Sequence, residues 1–360
     1  MSTTRRLGVA AGLVDDRIVP GDVEVSGDQI TGVGCSPAGA TGLAVPGFVD
    51  LQVNGFGGVP FTDPDVDLDG YRHAAATMAR SGVTSFLLTI PTVAPGTYAA
   101  LLPRAAEACA ADLGGARALG IHLEGPFLAP RRRGAHREDW LQVPDRAAAD
   151  TMLDVAPITL MTLAPEIDGG MALLDHLRRR GVIVSLGHTD ADAEAAHAAY
   201  DHGATAVTHL WNAQRPITSR DPGIGAVALT RADVWVCAIA DLAHVAGESL
   251  ALSVAAAGDR FVVVTDAVAP AGTPDAPLPA LRDAAGNLFG STTPIDQGIR
   301  NLVGLGVPLT SALAAATRRP AALLGRPDLG RLAPQERADV VILADDLTVR
   351  DVLLGGRPHR

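Results

Sequence analysis

The chain has 360 residues, of which 48% are hydrophobic and 19% are charged, and its formal net charge at pH 7 is -11. This length and composition suit one large α/β domain with a small appendage, and they exclude a disordered or fibrous protein. Because no basic stripe offsets the negative charge, we expect no general binding to nucleic acid or to an anionic membrane. No apolar run approaches the roughly 20 residues that a membrane span requires.

The composition contains no lysine, since all 29 basic residues are arginines. This excludes mechanisms that need a lysine amine: Schiff-base aldolases, pyridoxal-phosphate enzymes, P-loop nucleotide hydrolases, and sites where a carbamylated lysine bridges two metals. The three cysteines are widely spaced and form no C-x-x-C pair. We therefore expect reduced thiols and a cytoplasmic setting.

The first strand-like segments lie in residues 6–44, where short runs are separated by turns. Near its start, Arg5 and Arg6 are followed by an apolar run at residues 7–14, a pattern that resembles a twin-arginine export signal. Two aspartates interrupt the apolar run that follows, too early for the hydrophobic region of a signal peptide, so a first β-strand is the better interpretation. Residues 330–356 show the same pattern of short strands and turns.

Eight apolar runs alternate with alanine-rich helical segments through the middle of the chain. The runs cover residues 48–53, 83–90, 118–123, 158–163, 182–186, 206–210, 234–240 and 261–265. Helical segments are predicted at 71–81, 98–112, 171–180, 190–202 and 245–258. Runs that are apolar throughout are typical of parallel strands covered on both faces, so we predict an α/β fold, a (β/α)8 TIM-like barrel, with a doubly wound sheet as the alternative.

Neither flank could bury a core alone. We predict that residues 1–45 and 326–360 pair into one small β-sandwich, with the barrel of residues 46–325 inserted between them.

Polar residues close four of the eight runs: Glu124, His188, His209 and Asp266. Because all strand C-termini of a parallel barrel open onto one face, residues far apart in sequence converge there. One carboxylate and two imidazoles are the donors of a catalytic metal site, and a further carboxylate can serve as its base. The pattern therefore predicts a metal-dependent hydrolase.

Several ordered motifs resemble those of N-acetylglucosamine-6-phosphate deacetylases of the amidohydrolase superfamily, and the likeness covers nearly the whole chain. The motifs are PGFVDLQVNG at 46–55, HLEGPF at 122–127, SLGHTD at 185–190, THLWNA at 208–213 and VTDA at 264–267. The resemblance implies hydrolysis of N-acetylglucosamine 6-phosphate to glucosamine 6-phosphate and acetate, in amino-sugar and cell-wall recycling.

The resemblance also implies roles for single residues. Glu124, His188 and His209 would bind one divalent metal per subunit, zinc with iron or another divalent ion as alternatives, and Asp266 would be the general base and acid. The chemistry agrees independently, because a bound metal lowers the pKa of its water toward about 7 and a nearby carboxylate can take the proton.

Substrate contacts are implied for His136, Asn212, Ala213, Arg220 and His244. Arginine offers phosphate a forked donor, and a histidine beside the phosphate dianion should be held protonated. In the family, an arginine at the Arg220 position reaches the substrate of the partner subunit, which implies a homodimer.

Two positions differ from many members of the wider superfamily, and two others depart from the family pattern. Gln52 and Asn54 stand where many superfamily relatives have two histidines for a second metal, so one metal is the favoured count. Leu242 and Gln214 replace a commoner glycine and methionine beside the sugar pocket. Another N-acyl amino sugar or a cyclic amide is therefore an alternative substrate, and a barrel without activity that serves as a scaffold is a third hypothesis.

His122 lies two residues before Glu124, so strand alternation places both on one face. We favour a hydrogen-bonded barrel-interior histidine over a ligand. The arginines at 131–133 are interpreted either as a substrate-attracting rim or as an ordinary solvated loop.

Overall fold

The structure is a computed structural model that describes residues 4–282, 286 and 288–359, so the outermost ends of the predicted sandwich segments lie outside it. A sheet of eight strands, each parallel to the next, forms its centre. Numbered 1 to 8 in chain order, the barrel strands are Phe48–Val53, Val83–Pro91, Arg117–Glu124, Ile158–Leu163, Ile183–Leu186, Ala206–Val207, Trp235–Ile239 and Phe261–Val264.

The sheet closes on itself between its first and last strands. Val53 forms a parallel bridge with Ala267, and the N–H of Asn54 donates to the Ala267 carbonyl at 2.7 Å. The predicted barrel is therefore confirmed, and the open doubly wound sheet is excluded. Barrel strand 6 ends earlier than predicted because His209 takes a φ of 29°, which turns the chain out of the strand direction.

Helices follow most of the barrel strands. Over the described residues they are Leu68–Arg80, Tyr98–Ala110, Arg146–Leu153, Gly170–Arg179, Ala193–Asp201, Gly223–Thr230, Gly247–Ala257, Ile295–Gly304, Leu309–Ala314 and Arg318–Leu323. Asp67, Asp145 and Asp192 cap three of them, because each carboxylate accepts the backbone N–H three residues ahead. No helix among these is long and apolar enough to cross a bilayer.

Within the described residues, the remaining strands form two larger sheets and two antiparallel pairs. The six-stranded sheet runs in the order Arg357–His359, Val349–Leu354, Val340–Leu343, Leu43–Pro46, Ala11–Val14 and Arg17–Pro20. The three-stranded sheet contains Thr4–Arg6, Asp22–Ser26 and Gln29–Cys35. The two antiparallel pairs join Gly55–Phe56 with Val59–Pro60 and Ala280–Arg282 with Leu288–Ser291.

The strand Val340–Leu343 shows why both chain ends are needed. Its side chains alternate between two cores: Val340 and Ile342 pack with residues of the three-stranded sheet, whereas Val341 and Leu343 join the core of the barrel. The predicted small β-sandwich built from both ends is confirmed, and its larger sheet also rests on the barrel.

A buried carboxyl group reinforces the closure of the barrel. Asp50, on barrel strand 1, accepts the Thr265 hydroxyl at 2.6 Å and the backbone N–H groups of Thr265 and Gln52 at 3.2 and 3.3 Å. Burial raises the pKa of Asp50 to about 6, and these hydrogen bonds offset the effect only in part.

We predict that Asp50→Asn changes the pH dependence of stability. The pKa of Asp50 in the folded state lies above its ordinary value, so the folded protein binds the proton of Asp50 more tightly than the unfolded chain does. Protonation of Asp50 therefore stabilises the fold, and this stabilisation is lost as pH rises through about 6. A shift of this size corresponds to about 3 kcal/mol. The variant should therefore gain stability relative to the wild type between pH 4 and pH 8, as measured by urea unfolding. Asp63→Asn, at an exposed loop carboxylate, is the control. A difference in unfolding free energy that does not change with pH would contradict the prediction.

Candidate functional site

Three side chains at the C-terminal ends of three barrel strands meet at one carboxylate oxygen. Oε1 of Glu124 lies 3.1 Å from Nε2 of His188 and 2.9 Å from Nε2 of His209, and the two imidazole nitrogens are 3.1 Å apart. All three residues are buried, and one ligand atom from each lies within 4.8 Å of the others. The structure thus brings together the three residues that the sequence predicts as metal ligands.

Local backbone geometry points these groups into the barrel mouth. His188 and Asp266 have φ values of 49° and 51°, and His209 has 29°. Left-handed backbone is unfavourable for residues other than glycine and persists only where surrounding contacts hold it. Each of these residues follows the end of its strand, so the turn redirects its side chain toward the barrel axis.

The donor set fits a divalent cation. Nδ1 of His188 is 3.0 Å from the Arg132 carbonyl, which can only accept, so this nitrogen carries the proton and Nε2 presents its lone pair. Two Nε2 atoms 3.1 Å apart need a proton or a cation between their lone pairs. A carboxylate and two imidazoles suit a zinc-like ion with a further position open to water.

Two amides from barrel strand 1 link the cluster to Asp266. The Gln52 amide donates to Oε1 of Glu124 at 3.0 Å and to Oδ1 of Asp266 at 3.1 Å, and the Asn54 amide donates to the same Asp266 oxygen at 2.7 Å. Gln52 and Asn54 therefore serve as hydrogen-bond donors in this arrangement. The sequence alone predicts them only to be weak metal ligands. Inward-facing amides on the first strand of a barrel are also suited to donating hydrogen bonds to a carboxylate.

The two carboxyl groups have opposite proton affinities. Burial raises the pKa of Asp266 to about 7, and the negative charge of Glu124 adds to the rise. Burial acts in the same direction on Glu124, but the hydrogen bonds with His188 and His209 outweigh it and hold its pKa well below the usual range. Glu124 is therefore suited to binding a cation, and Asp266 to exchanging a proton near neutral pH.

His136 lies against the cluster. Its ring contacts the ring of His188 edge-on, with centroids 4.4 Å apart, and its Nδ1 accepts the backbone N–H of Thr92 at 3.3 Å. Burial lowers the pKa of His136 to about 3, and a charge on His188 lowers it further. In the absence of a bound dianion the imidazole is therefore neutral, and its protonation beside a phosphate stays a prediction.

His244 is oriented by a carboxylate that the sequence did not single out. Nδ1 of His244 lies 2.7 Å from Oδ2 of Asp241, while Oδ1 of Asp241 accepts the backbone N–H groups of Ala243 and His244. The spacing of three residues after the end of a barrel strand is the signal that could have revealed this pair. Between them lies Leu242 with a φ of 63°, a conformation that explains why glycine suits this position.

The loop after His209 carries the other predicted substrate contacts. The Asn212 amide donates to the backbone carbonyls of His209 and Leu210, so it shapes the turn. Ala213 has a φ of 49°. Arg220 is exposed and makes no ion pair with the residues that the structure describes, so its guanidinium is free to meet an anion.

His122 is satisfied inside the barrel. Its Nδ1 is 3.1 Å from the Leu51 carbonyl and its Nε2 is 2.8 Å from the Thr162 hydroxyl. Both ring nitrogens have partners, which supports the interpretation of His122 as an interior histidine.

Comparison with known proteins supports the geometry. Residues 43–358 match the amidohydrolase family. N-acetylgalactosamine-6-phosphate deacetylase of Escherichia coli O157:H7 is 34% identical over 98% of this chain and 97% of that protein. N-acetylglucosamine-6-phosphate deacetylase of Rattus norvegicus is 36% identical over 87% of this chain and 82% of that protein.

A solved structure is also closely similar. It is that of a mutant N-acetyl-D-glucosamine-6-phosphate deacetylase from Mycobacterium smegmatis in complex with N-acetyl-D-glucosamine-6-phosphate. It superimposes with a TM-score of 0.91 at 31% identity and covers 99% of both chains. These similarities confirm the resemblance that the strand-end motifs indicate.

We predict that the purified protein binds one zinc ion per chain and that His209→Ala weakens this binding by more than about 100-fold, because loss of a ligand costs more than loss of an outer partner. The measurement is competition with a chromophoric chelator, with metal content checked by mass spectrometry. His197→Ala, at an exposed histidine, is the control and should bind like the wild type. Equal zinc affinity in both variants would remove His209 from the site.

Proposed function

The chain belongs to the amidohydrolase family, and from this premise we propose that it hydrolyses the acetamide of N-acetylglucosamine 6-phosphate to glucosamine 6-phosphate and acetate. The observation that carries the proposal is the meeting of Glu124, His188 and His209 at one point, with Asp266 tied to them through Gln52. The names of the relatives support the choice of substrate.

Glu124, His188 and His209 would hold one divalent ion, zinc with iron or another divalent ion as alternatives. When bound, such an ion makes a water molecule acidic and polarises the amide carbonyl. Asp266 would accept a proton from the attacking water as the water oxygen bonds to the acetyl carbon, and would return it to the amine nitrogen as the C–N bond breaks. Gln52 and Asn54 both donate to Oδ1 of Asp266, which leaves its other oxygen for the proton.

Binding of the phosphate needs local cations because the chain as a whole is negative. Arg220 supplies a fork of donors on an exposed loop, and the turn at Asn212 and Ala213 supplies backbone groups. His136 would contribute an imidazole whose protonated form a bound phosphate dianion favours, and His244 would position the sugar or the acetyl oxygen. We propose a homodimer in which Arg220 reaches the substrate of the partner subunit.

We also propose that the protein works in the cytoplasm, in amino-sugar and cell-wall recycling. The three cysteines are free thiols, which is compatible with a reducing compartment.

A second candidate substrate is N-acetylgalactosamine 6-phosphate, which differs only in the configuration at C4. The relative from Escherichia coli O157:H7, which spans nearly the whole chain, favours it. Leu242 and Gln214 border the proposed pocket and keep another N-acyl amino sugar or a cyclic amide as alternatives. The four convergent side chains argue against a scaffold without activity, since a barrel that does no chemistry does not require a buried cluster of two carboxyl groups and two imidazoles.

The test is acetate release from three substrates by zinc-loaded protein. We expect turnover of N-acetylglucosamine 6-phosphate, with a lower kcat/KM for the C4 epimer and a much lower one for unphosphorylated N-acetylglucosamine. Equal cleavage of the unphosphorylated sugar would reject the phosphate site. No acetate from any substrate with zinc, iron, manganese or cobalt would reject the activity.

We predict that Asp266→Asn lowers kcat by about 10² to 10⁴, the usual contribution of a general acid or base, while zinc content stays at the wild-type value. In the zinc-loaded wild type, kcat/KM should fall along an acidic limb that lies at or below about pH 7, because protonated Asp266 cannot accept a proton. A bound cation favours the carboxylate and can only move this limb to lower pH. An Asp266→Asn variant with wild-type kcat would contradict the assignment.

A further inference from the structure

The loop formed by residues 129–132 holds His188 at both ends. The N–H of Ala129 donates to the backbone carbonyl of His188 at 2.9 Å, and the ring Nδ1 of His188 donates to the carbonyl of Arg132 at 3.0 Å. One contact fixes the left-handed backbone of His188, and the other fixes its ring. The orientation of Nε2 toward Glu124 therefore depends on where this loop lies.

The side chain of Asp190 fixes the position of the loop. Nε of Arg132 donates to Oδ1 of Asp190 at 2.7 Å, and Arg131 lies 3.2 Å from Oδ2. The Asp190 and Arg132 side chains are only 16% and 24% exposed, so their ion pair is better shielded from water than an ordinary surface pair. Asp190 is two residues from His188, so Arg132 is bound at both its carbonyl and its guanidinium by one short segment.

Asp190 is itself held rigidly. Its backbone N–H donates to Glu166 at 2.6 Å, and the neighbouring Thr189 hydroxyl donates to the other oxygen of Glu166 at 2.6 Å. Its carbonyl accepts from Arg215 at 3.0 Å. Loops that follow barrel strands 3, 4, 5 and 6 thus meet at this residue.

We propose that Asp190 is a positioning residue for the metal ligand His188 and acts through Arg132. This inference rests on the metal site of the proposed function and adds to it a residue that does not touch the ion. The ion pair holds the Arg132 carbonyl where His188 must donate to it, so the Nε2 lone pair stays directed at the site. Loss of such an outer partner typically weakens metal binding by 10- to 100-fold.

The experiment measures zinc affinity by chelator competition for Asp190→Asn, Arg132→Ala and the double variant. Each single change should raise the zinc Kd by about 10- to 100-fold. The zinc Kd of the double variant should be less than about twofold higher than that of the weaker-binding single variant, because both changes break the same contact. The visible absorption of the cobalt-loaded single variants should also change, since the ring of His188 is no longer held.

Asp201→Asn is the control for loss of an arginine-paired carboxylate away from the site. Asp201 pairs with Arg231 at 2.7 Å, and their side chains are 65% and 19% exposed. Asp201 ends the helix before barrel strand 6 and Arg231 precedes barrel strand 7, so the pair lies at the end of the barrel opposite the site. Its zinc Kd and cobalt spectrum should equal those of the wild type. Melting of the metal-free proteins separates a general loss of stability from a change at the site.

A zinc Kd within twofold of the wild type in both single variants would overturn the proposal. Additive effects in the double variant would also overturn it, because Asp190 would then act without Arg132. If Asp190→Asn does not fold, Arg132→Ala decides alone, since it leaves the backbone carbonyl in place. A wild-type protein that binds no metal would instead reject the proposed metal centre, which distinguishes the two failures.

Discussion

One oxygen atom, Oε1 of Glu124, lies within hydrogen-bond distance of Gln52 on barrel strand 1 and of His188 and His209, which follow barrel strands 5 and 6. This meeting depends on strand register. Glu124 is the last residue of barrel strand 3 and pairs with Thr162 of barrel strand 4. Because side chains alternate across a strand, a slip of one residue would turn Glu124 toward the surrounding helices and leave the imidazoles without their anion.

The site also depends on unfavourable backbone at its edge. His188, His209 and Asp266 all leave their strands in the left-handed region, which costs of order 1–3 kcal/mol each where neighbours do not compensate. The compensation comes from loops. Residues 129–132 form hydrogen bonds with the backbone and ring of His188, and the Asn212 amide donates to the carbonyl of His209. The barrel therefore supplies the positions of these groups, and the loops supply their directions.

The barrel could be predicted from the sequence because its strands are buried on both faces and appear as apolar runs. Seven of the eight runs end within one residue of the observed strands. The sixth run is predicted to reach residue 210, whereas the strand ends at Val207. Hydrophobicity gives no signal for the turn at His209. The convergence of Glu124, His188 and His209 could be predicted because strand C-termini share one face. The donor role of Gln52, the lowered pKa of buried His136 and the link from Asp190 to Arg132 could not be predicted, because each depends on packing between loops or strands distant in sequence.

The six-stranded sheet has a consequence for how the protein is made. Its strand Leu43–Pro46 leads directly into the barrel and lies between Ala11–Val14 and Val340–Leu343. During translation, one edge of that strand stays unpaired until the ribosome has released residues near 343, long after the barrel segments have emerged. Pairings of such large sequence separation form slowly, and open edges invite association between nascent chains. We therefore expect chaperones to bind the nascent chain at the unpaired edge of this strand rather than at the barrel.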